Sequence, residues 1–342
     1  MDPLTYRSAG VDIGAGDEAV RRIAPLAAST KRPEVLGGIG AFASFVSLPA
    51  GYREPVLVSS TDGVGTKLKV AFLAGRHDTV GIDLVAMGVN DVVVHGAEPL
   101  YFLDYLAVHR VDPAQVGTIV SGVAEGCRRA GCALVGGETA EMNELYAPGE
   151  YDLAGFAVGV VEKSDIVTGS EVRPGDRVLG LASSGLHSNG YTLARRVVFE
   201  RLGLKPGDTV PGLGRSAADE LLEPTRIYVK PVLALLKTVP VLAMAHVTGG
   251  GVTLNLPRVL PEGCQAAIDP RAWPVPPIFR IIQEAGFVDD AEMRRTFNMG
   301  LGYLLVVRPG DAARAAQTLS AAGERVFDVG EIRAGVRSVV YA

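Results

Sequence analysis

Residues 54–67 read EPVLVSSTDGVGTK, and this stretch decides the fold class. The valine-rich run EPVLVSS (54–60) predicts a β-strand, and the loop TDGVGTK (61–67) follows it directly. A strand with a ligand loop at its carboxyl end is typical of α/β proteins. The loop is not a P-loop, because that motif places Lys before the hydroxyl residue, whereas here Thr66 precedes Lys67 and Asp62 leads.

The loop itself admits two interpretations. Gly63 and Gly65 let the backbone point its amides at a bound group, and Lys67 adds a positive charge that suits phosphate. Alternatively, Asp62 caps the following helix in an ordinary turn. The local spacing leaves both interpretations open.

The overall composition is that of a globular protein. The chain has 342 residues, of which 48% are apolar and 21% charged, and its formal net charge is -5. This length predicts two domains, and the negative charge argues against a broad nucleic-acid surface. Cys127, Cys132 and Cys264 show no metal-ligand spacing. Without a signal-peptide pattern or a membrane-spanning apolar run, we expect a cytoplasmic protein with no membrane partner.

Strands and helices alternate along the chain and predict an α/β (α+β) protein. The clearest helix lies within 112–131, with Asp112 as N-cap, Pro113 in the first turn and Gly131 as the stop. Further helices are predicted at 79–94 and from near Pro224 and Pro277; strands are predicted at 54–60, 101–111, 132–138, 151–163, 301–308 and within 325–342. Polar and Pro-Gly content rises over 164–176, which predicts domains at 1–168 and 169–342.

Acidic side chains follow or interrupt these apolar segments at three places. In the helix at 79–94, Asp83, Asn90 and Asp91 lie near one face and need partners if buried. A divalent cation is one such partner, and a solvated stripe is the alternative. In VGGETAEM (135–142), Glu138 and Glu141 stand at a predicted helix start, where capping is the alternative. Together with Asp62, the acids at 91 and 138 suggest Mg²⁺ bridging phosphates.

Two glycine-containing stretches in the second half add polar groups. SSGLHSNGYTLAR (183–195) places His187, Ser188 and Asn189 before a predicted helix, which indicates ligand contact or proton transfer, or else a simple N-cap. HVTGGG (246–251) has three consecutive glycines before another predicted helix. Exposed amides at such a position are typical of an anion site, and a hinge is the alternative.

These segments occur in an order that resembles one enzyme family, the phosphoribosylformylglycinamidine cyclo-ligases, also called aminoimidazole ribonucleotide synthetases. The resemblance runs from about Tyr6 to the last strands. It is carried by AGVDIGAG (9–16), RPEVLGGIGAF (32–42), TDGVGTK, GIDLVAMGVND (81–91), VGGETAEM, YDLAGFAVGVVEK (151–163), GLHSNGY (185–191), PTRIYVK (224–230), HVTGGG and RTFNMGLG (295–302).

The resemblance implies a fold and an activity. Members of the family have a two-domain synthetase fold, in which the sheet of the N-terminal domain pairs across a homodimer and a C-terminal α/β domain packs alongside. They use ATP and Mg²⁺ to close formylglycinamidine ribonucleotide into aminoimidazole ribonucleotide, releasing ADP and phosphate. ATP phosphorylates the formamide oxygen, and an amidine nitrogen then displaces phosphate, so alignment and charge neutralisation are the main requirements.

The resemblance also implies roles for matching residues. Asp62, Asp91 and Glu138 are expected to hold Mg²⁺, with Asn90 assisting. Phosphate and nucleotide contacts are expected from Asp12, Lys31, Arg32, Gly63, Gly65, Thr66, Lys67, Gly136 and Gly137. Substrate contacts are expected from His187, Ser188, Asn189, Thr248, Gly249, Gly250 and Gly251. Among all of these, His187 is the candidate general acid or base, and Lys67 and Asp62 complete the expected catalytic set.

Related ATP-using enzymes are the alternatives. Selenophosphate synthetase resembles the chain around Asp62 but needs an early Cys, whereas the first Cys here is Cys127. The hydrogenase-maturation relative uses a C-terminal Cys, whereas this chain ends in Ala342. Thiamine-phosphate kinase and a non-catalytic ATP-binding subunit remain as competing hypotheses. Two departures from the family pattern, Leu254 and the pair at 143–144, leave roles for those side chains in doubt.

Overall fold

The computed structural model describes residues 3–6 and 8–342, which form two sheets flanked by helices. The first half contains α1 (Ile13–Ala28), β1 (Pro55–Gly63), α2 (Leu68–Ala74), α3 (Val80–Val93), β2 (Glu98–Val108), α4 (Pro113–Ala130), β3 (Ala133–Glu141) and β4 (Tyr151–Glu162). Its sheet has the order β1-β4-β2-β3, with β2 and β3 parallel and the other pairs antiparallel.

The second half builds a six-stranded sheet of order β10-β7-β9-β5-β8-β6. Its strands are β5 (Arg177–Ala182), β6 (Val241–His246), β7 (Cys264–Ile268), β8 (Leu301–Val307), β9 (Val326–Ala334) and β10 (Ser338–Tyr341). Its helices are α5 (Tyr191–Arg195), α6 (Ala217–Leu221), α7 (Val229–Leu236), α8 (Gly251–Asn255), α9 (Pro277–Gly286), α10 (Asp290–Thr296) and α11 (Pro309–Ala321). In the described part of the chain, no helix is long and apolar enough to cross a membrane.

The predicted α/β class and most predicted elements are confirmed. Asp112 accepts hydrogen bonds from the first-turn amides of α4, and Gly131 ends that helix with φ 82°. The two sheets lie on either side of the predicted boundary at 168/169. One hydrophobic cluster nevertheless includes Leu84 of α3 and Tyr228 and Leu235 of the second half, so the core is continuous across the boundary. The division into two domains stays a prediction.

Three predicted element bounds are wrong for reasons of tertiary pairing. β1 continues past Ser60 to Gly63, because its ladder with β4 extends to Ala154. No helix begins at Glu138: β3 continues to Glu141, paired with β2. The helix predicted from Pro224 begins at Val229, because side chains of α3 capture the preceding backbone amides.

Helix α3 lies unusually close to α4, and this contact places its polar residues. A Cβ atom at Gly81 would lie within 2.6 Å of backbone atoms of Ile119, Gly122 and Val123. Because Gly81 has no side chain, the two helix backbones approach each other directly. Thirteen of the fourteen α3 residues are buried, so the polar ones among them must find partners inside the protein.

Replacing Gly81 by Ala is expected to lower the free energy of unfolding by about 2–3 kcal/mol, because the added methyl group meets rigid backbone. Gly117→Ala in α4 is the matched control, since a Cβ there meets only the Arg22 side chain at 3.7 Å. It should raise stability by up to about 1 kcal/mol through helix propensity. Urea unfolding of both variants measures the difference. Equal effects of the two substitutions would contradict the close helix contact.

Candidate active site

Asp62 lies near the carboxyl end of β1, at the junction between the two halves. Its Oδ1 accepts a hydrogen bond from the amide of Gly63 at 2.7 Å. Burial raises the pKa of Asp62; the Gly63 amide opposes this, the charge of Asp91 raises the pKa further, and His246 lowers it. The negative charges of Asp62 and Asp91 therefore repel each other, as they would in a shared cation site.

Asp91 connects β1, α3 and β6. Its Oδ1 lies 2.9 Å from Nδ1 of His246, and Ser60 Oγ lies 3.4 Å from its Oδ2. The Asp91 side chain is 42% exposed, whereas that of His246 is 2% exposed. We did not predict His246 as a site residue. The usable signal was its position as the last residue of the apolar run VLAMAH, because ligands gather at the carboxyl ends of strands.

Lys67 is fully buried and does not face open space. Its ammonium donates to Asp83 Oδ1 at 2.9 Å, to His187 O at 3.0 Å and to Glu223 O at 2.7 Å. The same Asp83 oxygen accepts from the amide and the hydroxyl of Thr225, both at 2.7 Å. An ammonium has three donors, so this geometry leaves none for the phosphate contact that we predicted. We call these five residues the Lys67 cluster.

Asn90 is also fully buried, and protein groups occupy its side chain. Its Nδ2 donates to Arg226 O at 2.9 Å, and its Oδ1 accepts from the Tyr228 amide at 2.9 Å. The predicted role in assisting a metal does not fit this arrangement. Asp83 and Asn90 instead bind the extended segment 224–228 of the second half, so the buried polar face of α3 joins the two halves.

His187 is 1% exposed and has left-handed backbone, with φ 62°. Its Nε2 accepts a hydrogen bond from the Ser184 amide at 3.2 Å. Burial lowers the pKa of His187 well below its usual value, and the positive charges of His246, Lys67 and Arg226 add to this. The ring is therefore neutral at pH 7 with its proton on Nδ1. Among the described residues, Nδ1 has no hydrogen-bond partner.

The loops around His187 meet the Asp62 loop. Thr66 Oγ1 lies 3.1 Å from Thr192 Oγ1, and Ser188 Oγ lies 3.3 Å from Thr225 Oγ1. Asn189 and Ser188 are partly exposed, so both remain able to contact a ligand. Gly65, with φ 71°, lets the chain turn directly from β1 toward Thr66.

The predicted TGGG loop borders the same junction and is organised by Asn255. The Asn255 amide donates to the carbonyls of Thr248, Gly249 and Gly251 at 3.3, 3.2 and 2.8 Å. Gly250 and Gly251 have φ values of 101° and 59°, which favour glycine. The helix that follows, α8, has only five residues. The loop is therefore a fixed turn at the edge of the junction, and α8 is too short for its N-terminus to form an anion site.

A cavity of about 680 Å³ lies beside β3, away from this junction. Gly136, Gly137 and Glu138 line it together with α1 residues and the segment 39–44. Across the sheet, Asp62 pairs with Gly155, Gly155 with Asp104, and Asp104 with Gly137. Paired residues share a face and Glu138 follows Gly137, so the side chains of Asp62 and Glu138 point to opposite faces.

The three predicted metal-binding acids therefore do not converge within one chain. Three strand spacings separate the Asp62 and Gly137 backbones, or about 14 Å. In the described ranges there is no group of three or more His, Cys, Asp or Glu side chains that would hold a metal ion. Asp62 and Asp91 form the carboxylate pair at the junction, and Glu138 belongs to the cavity.

The predicted nucleotide contacts at the amino-terminal end differ in accessibility. Arg32 is engaged by the protein: it donates to Gly131 O at 2.7 Å and pairs with Glu34 and Glu98 at 3.0 and 2.7 Å. Lys31 is exposed and lines a second cavity of about 300 Å³ with residues 37–39. Asp12 caps α1 through the amides of Gly14 and Ala15, at 3.0 and 3.3 Å. Among these three predicted contacts, Lys31 is thus the basic group that is exposed and able to meet an anion.

Asp104 also lines the larger cavity and is an ionisable group with an altered pKa. Burial raises the pKa of Asp104 to about 7, with an opposing hydrogen bond from its own backbone. Its oxygen occupies the space that a side chain at Gly137 would need. Gly137 is therefore required so that the Asp104 carboxyl can reach across to the neighbouring strand.

Replacing Asp104 by Asn is expected to raise the free energy of unfolding at pH 8. A rise in the pKa of Asp104 from about 3.9 in the unfolded chain to about 7 in the folded protein corresponds to about 4 kcal/mol. Because the side chain is partly exposed, we expect the free energy of unfolding to increase by on the order of 2 kcal/mol. The folded carboxyl binds more protons, so wild-type stability falls between about pH 4 and 7, and Asn removes this loss. Urea unfolding should give curves that converge below about pH 4; a gap that widens in acid would contradict the prediction.

Comparison with known protein families agrees with this architecture. Residues 48–161 match the AIR synthase related protein N-terminal domain, and residues 173–342 match the AIR synthase related protein C-terminal domain. Relatives named phosphoribosylformylglycinamidine cyclo-ligase include one from Citrifermentans bemidjiense, 58% identical over 96% of this chain and 95% of its own length. Those of Myxococcus xanthus and Burkholderia multivorans are 58% and 57% identical, covering 97% of this chain and 96% and 93% of theirs.

Solved structures share the fold at lower identity. A thiamine-monophosphate kinase from Stenotrophomonas maltophilia has a TM-score of 0.67 at 18% identity over 95% of both chains. E. coli HypE has a TM-score of 0.68 at 18% identity, covering 95% of this chain and 93% of its own. Because both halves match one family and whole-length relatives reach 57–58% identity, the chain belongs to the phosphoribosylformylglycinamidine cyclo-ligase family.

Proposed function

We propose that this protein catalyses the ATP-dependent ring closure of formylglycinamidine ribonucleotide to 5-aminoimidazole ribonucleotide in de novo purine biosynthesis. The observation that carries the proposal is the 57–58% identity to cyclo-ligases over nearly the whole chain. The geometry is compatible with it, because carboxylates, a neutral histidine and the glycine loops meet at one junction. The structural likeness to thiamine-monophosphate kinase concerns the fold alone.

The reaction proceeds in two displacements. The formamide oxygen attacks the γ-phosphorus of ATP, the bond from that phosphorus to the bridging oxygen breaks, and ADP leaves. An amidine nitrogen of the same molecule then attacks the formyl carbon, inorganic phosphate departs with the oxygen, and the nitrogen loses a proton. Both steps depend on alignment and on neutralised charge, and no covalent bond to the protein is needed.

Asp62 and Asp91 are the residues proposed to hold Mg²⁺. Their donor chemistry fits this ion, which typically takes one or two protein carboxylates and completes its shell with water and substrate phosphates. The Asp91 charge raises the pKa of Asp62, so an added cation would relieve a repulsion that already exists. When bound, Mg²⁺ supplies charge neutralisation at the transferred phosphoryl group. Gly63, Gly65 and Thr66 border this position and are proposed to meet phosphate.

His187 is proposed to act as a neutral hydrogen-bond donor. Its Nε2 is already occupied by the Ser184 amide, whereas its Nδ1 proton lacks a partner among the residues described. This Nδ1 atom is buried in the free protein, so the proposal requires the His187 loop to admit the formamide oxygen, whose developing negative charge suits such a donor. Ser188, Asn189 and the loop 248–251 are proposed to hold the rest of the substrate.

The protein is proposed to act as a homodimer, and the larger cavity is proposed to receive a nucleotide held between the two copies, because the cavity lies away from the Asp62 junction of its own chain. The cavity of about 680 Å³ is lined by Gly136, Gly137 and Glu138 and is large enough for a nucleoside. One face of the first sheet carries exposed Leu57 and Phe156. Apolar groups grouped on an open sheet face are typical of an interface, which supports pairing of this face with a second copy.

Purified protein is expected to release ADP and phosphate only when formylglycinamidine ribonucleotide and Mg²⁺ are both present. A coupled assay for ADP measures this, with thiamine monophosphate as the control substrate. Sedimentation velocity of the same preparation should give the mass of two chains. ADP release with thiamine monophosphate alone, or nucleotide binding without turnover on the ribonucleotide, would contradict the proposed function.

Asp62→Asn is expected to reduce turnover by at least about 100-fold while leaving the midpoint of thermal unfolding unchanged or higher, because a repelled carboxylate is removed from a partly buried position. Asp152→Asn is the matched control. Asp152 is exposed on β4 and accepts from the next backbone amide at 2.9 Å, as Asp62 does. The control should retain full turnover. Equal rates for the Asp62 variant and wild type would leave Asp62 with only its local hydrogen bond to the Gly63 amide.

A further inference from the structure

The Lys67 cluster joins the Asp62 loop to the His187 loop. Lys67 follows Asp62 by five residues, and its ammonium donates to the backbone carbonyl of His187 at 3.0 Å. Asp83 and Glu223 accept its other two hydrogen bonds, at 2.9 and 2.7 Å. Because the side chain has no exposed surface and no donor to spare, its effect on a ligand must pass through the groups that it holds.

The residue that Lys67 holds has an unusual backbone conformation. His187 has φ 62°, a region that side chains other than glycine adopt at an energetic cost, and such residues concentrate at functional sites. Contacts on several sides hold it there: Ser184 donates to Nε2, Lys67 donates to the carbonyl oxygen, and Tyr228 and the ring of His187 together fill the space beside Gly302. The Lys67 bond is the charged contact within this set.

We propose that Lys67 is a positioning residue for the reaction. By holding the His187 carbonyl, it keeps the histidine in its left-handed conformation and sets the imidazole relative to Asp62 on the adjoining loop. This inference rests on the proposed function, and it replaces a direct contact between Lys67 and phosphate with an indirect role through His187. The hydroxyls of Thr66 and Thr192, 3.1 Å apart, form a second contact between the Asp62 loop and the segment that follows the His187 loop.

Lys67→Met tests the proposal, because Met fills similar space without a donor. The single change leaves Asp83 as a buried, unpaired charge, so this variant is prone to unfold. The double variant Lys67→Met/Asp83→Asn avoids that problem. Its Asn oxygen still accepts from Thr225, and its amide replaces Asp83 Oδ2, which has no partner among the described residues.

The double variant is expected to lose kcat by on the order of 100-fold, as for a displaced catalytic group, with KM and Kd for ATP within about threefold of wild type. The ring ¹⁵N resonances of His187 should also shift, assigned by their loss in a His187→Asn sample. Both measurements report on the histidine, and the second needs no turnover.

Arg308→Met is the matched control for a lost buried ion pair. Arg308 donates twice to Asp176, at 2.9 and 2.8 Å, and the Asp176 side chain is 2% exposed. The length of β5, about 20 Å, separates this pair from the His187 loop. This variant should unfold at lower temperature yet keep wild-type kcat and an unchanged His187 resonance when assayed well below its melting temperature.

The outcomes separate the competing roles. A fall of more than about 30-fold in ATP affinity, parallel to kcat, would show a direct phosphate contact and overturn the proposal. Wild-type kcat and an unmoved His187 resonance in the double variant would show a purely structural ion pair and also overturn it. Absence of turnover in the wild-type protein contradicts the proposed function instead, and the His187 resonance still decides whether Lys67 positions the ring.

Discussion

The ion pair between Lys67 and Asp83 is the interaction on which the arrangement of the two halves depends. Removing two charges from water costs several kcal/mol for each ion, and this is offset only when nearly every donor and acceptor finds a partner. Here Lys67 uses all three of its donors, and one oxygen of Asp83 accepts three hydrogen bonds, of which one comes from Lys67. Several of those partners, at 187, 223 and 225, belong to the second half. The pair is thus satisfied only when both halves are packed together, and that packing forms the junction.

Local patterns predicted the elements whose ends are set locally. The bounds of α4 follow from Asp112, Pro113 and Gly131, each of which acts within one helical turn. The errors arose where distant contacts decide the outcome. Glu141 looks like a first-turn helix residue, yet its carboxylate accepts from the amides of Asp12 and Val111, and β2 pairs alongside. These partners lie 129 and 30 residues away in the sequence, so no spacing rule reveals them.

The residue types of the candidate site were predictable from the sequence, but only some of the contacts between these residues were. The buried polar residues of α3 signalled that partners were required, and we expected a cation. For Asp83 and Asn90 the partners are instead protein groups, among them Lys67, Thr225 and Tyr228. His246 was missed because a single histidine at a strand end carries little signal until Asp91 is seen 2.9 Å away. Pairings across about 150 residues are a property of the fold rather than of any motif.

The charges of Asp62 and Asp91 repel each other, whereas those of Lys67 and Asp83 attract. This difference explains the order of residues in TDGVGTK. Lys67 is committed to Asp83, so the loop retains Asp62 as its uncompensated charge, beside Asp91 and opposed by neutral donors and one histidine. Two neighbouring carboxylates that have His246 but no Lys or Arg partner among the described residues are unfavourable in the free protein, as is common at functional sites. In the proposed function, a magnesium nucleotide would supply the missing cation together with phosphates that the glycine backbone could meet. Asp62 and Lys67 therefore have complementary roles. The charge of Asp62 remains available to a ligand, whereas the charge of Lys67 is used in the hydrogen bonds that hold the loops together.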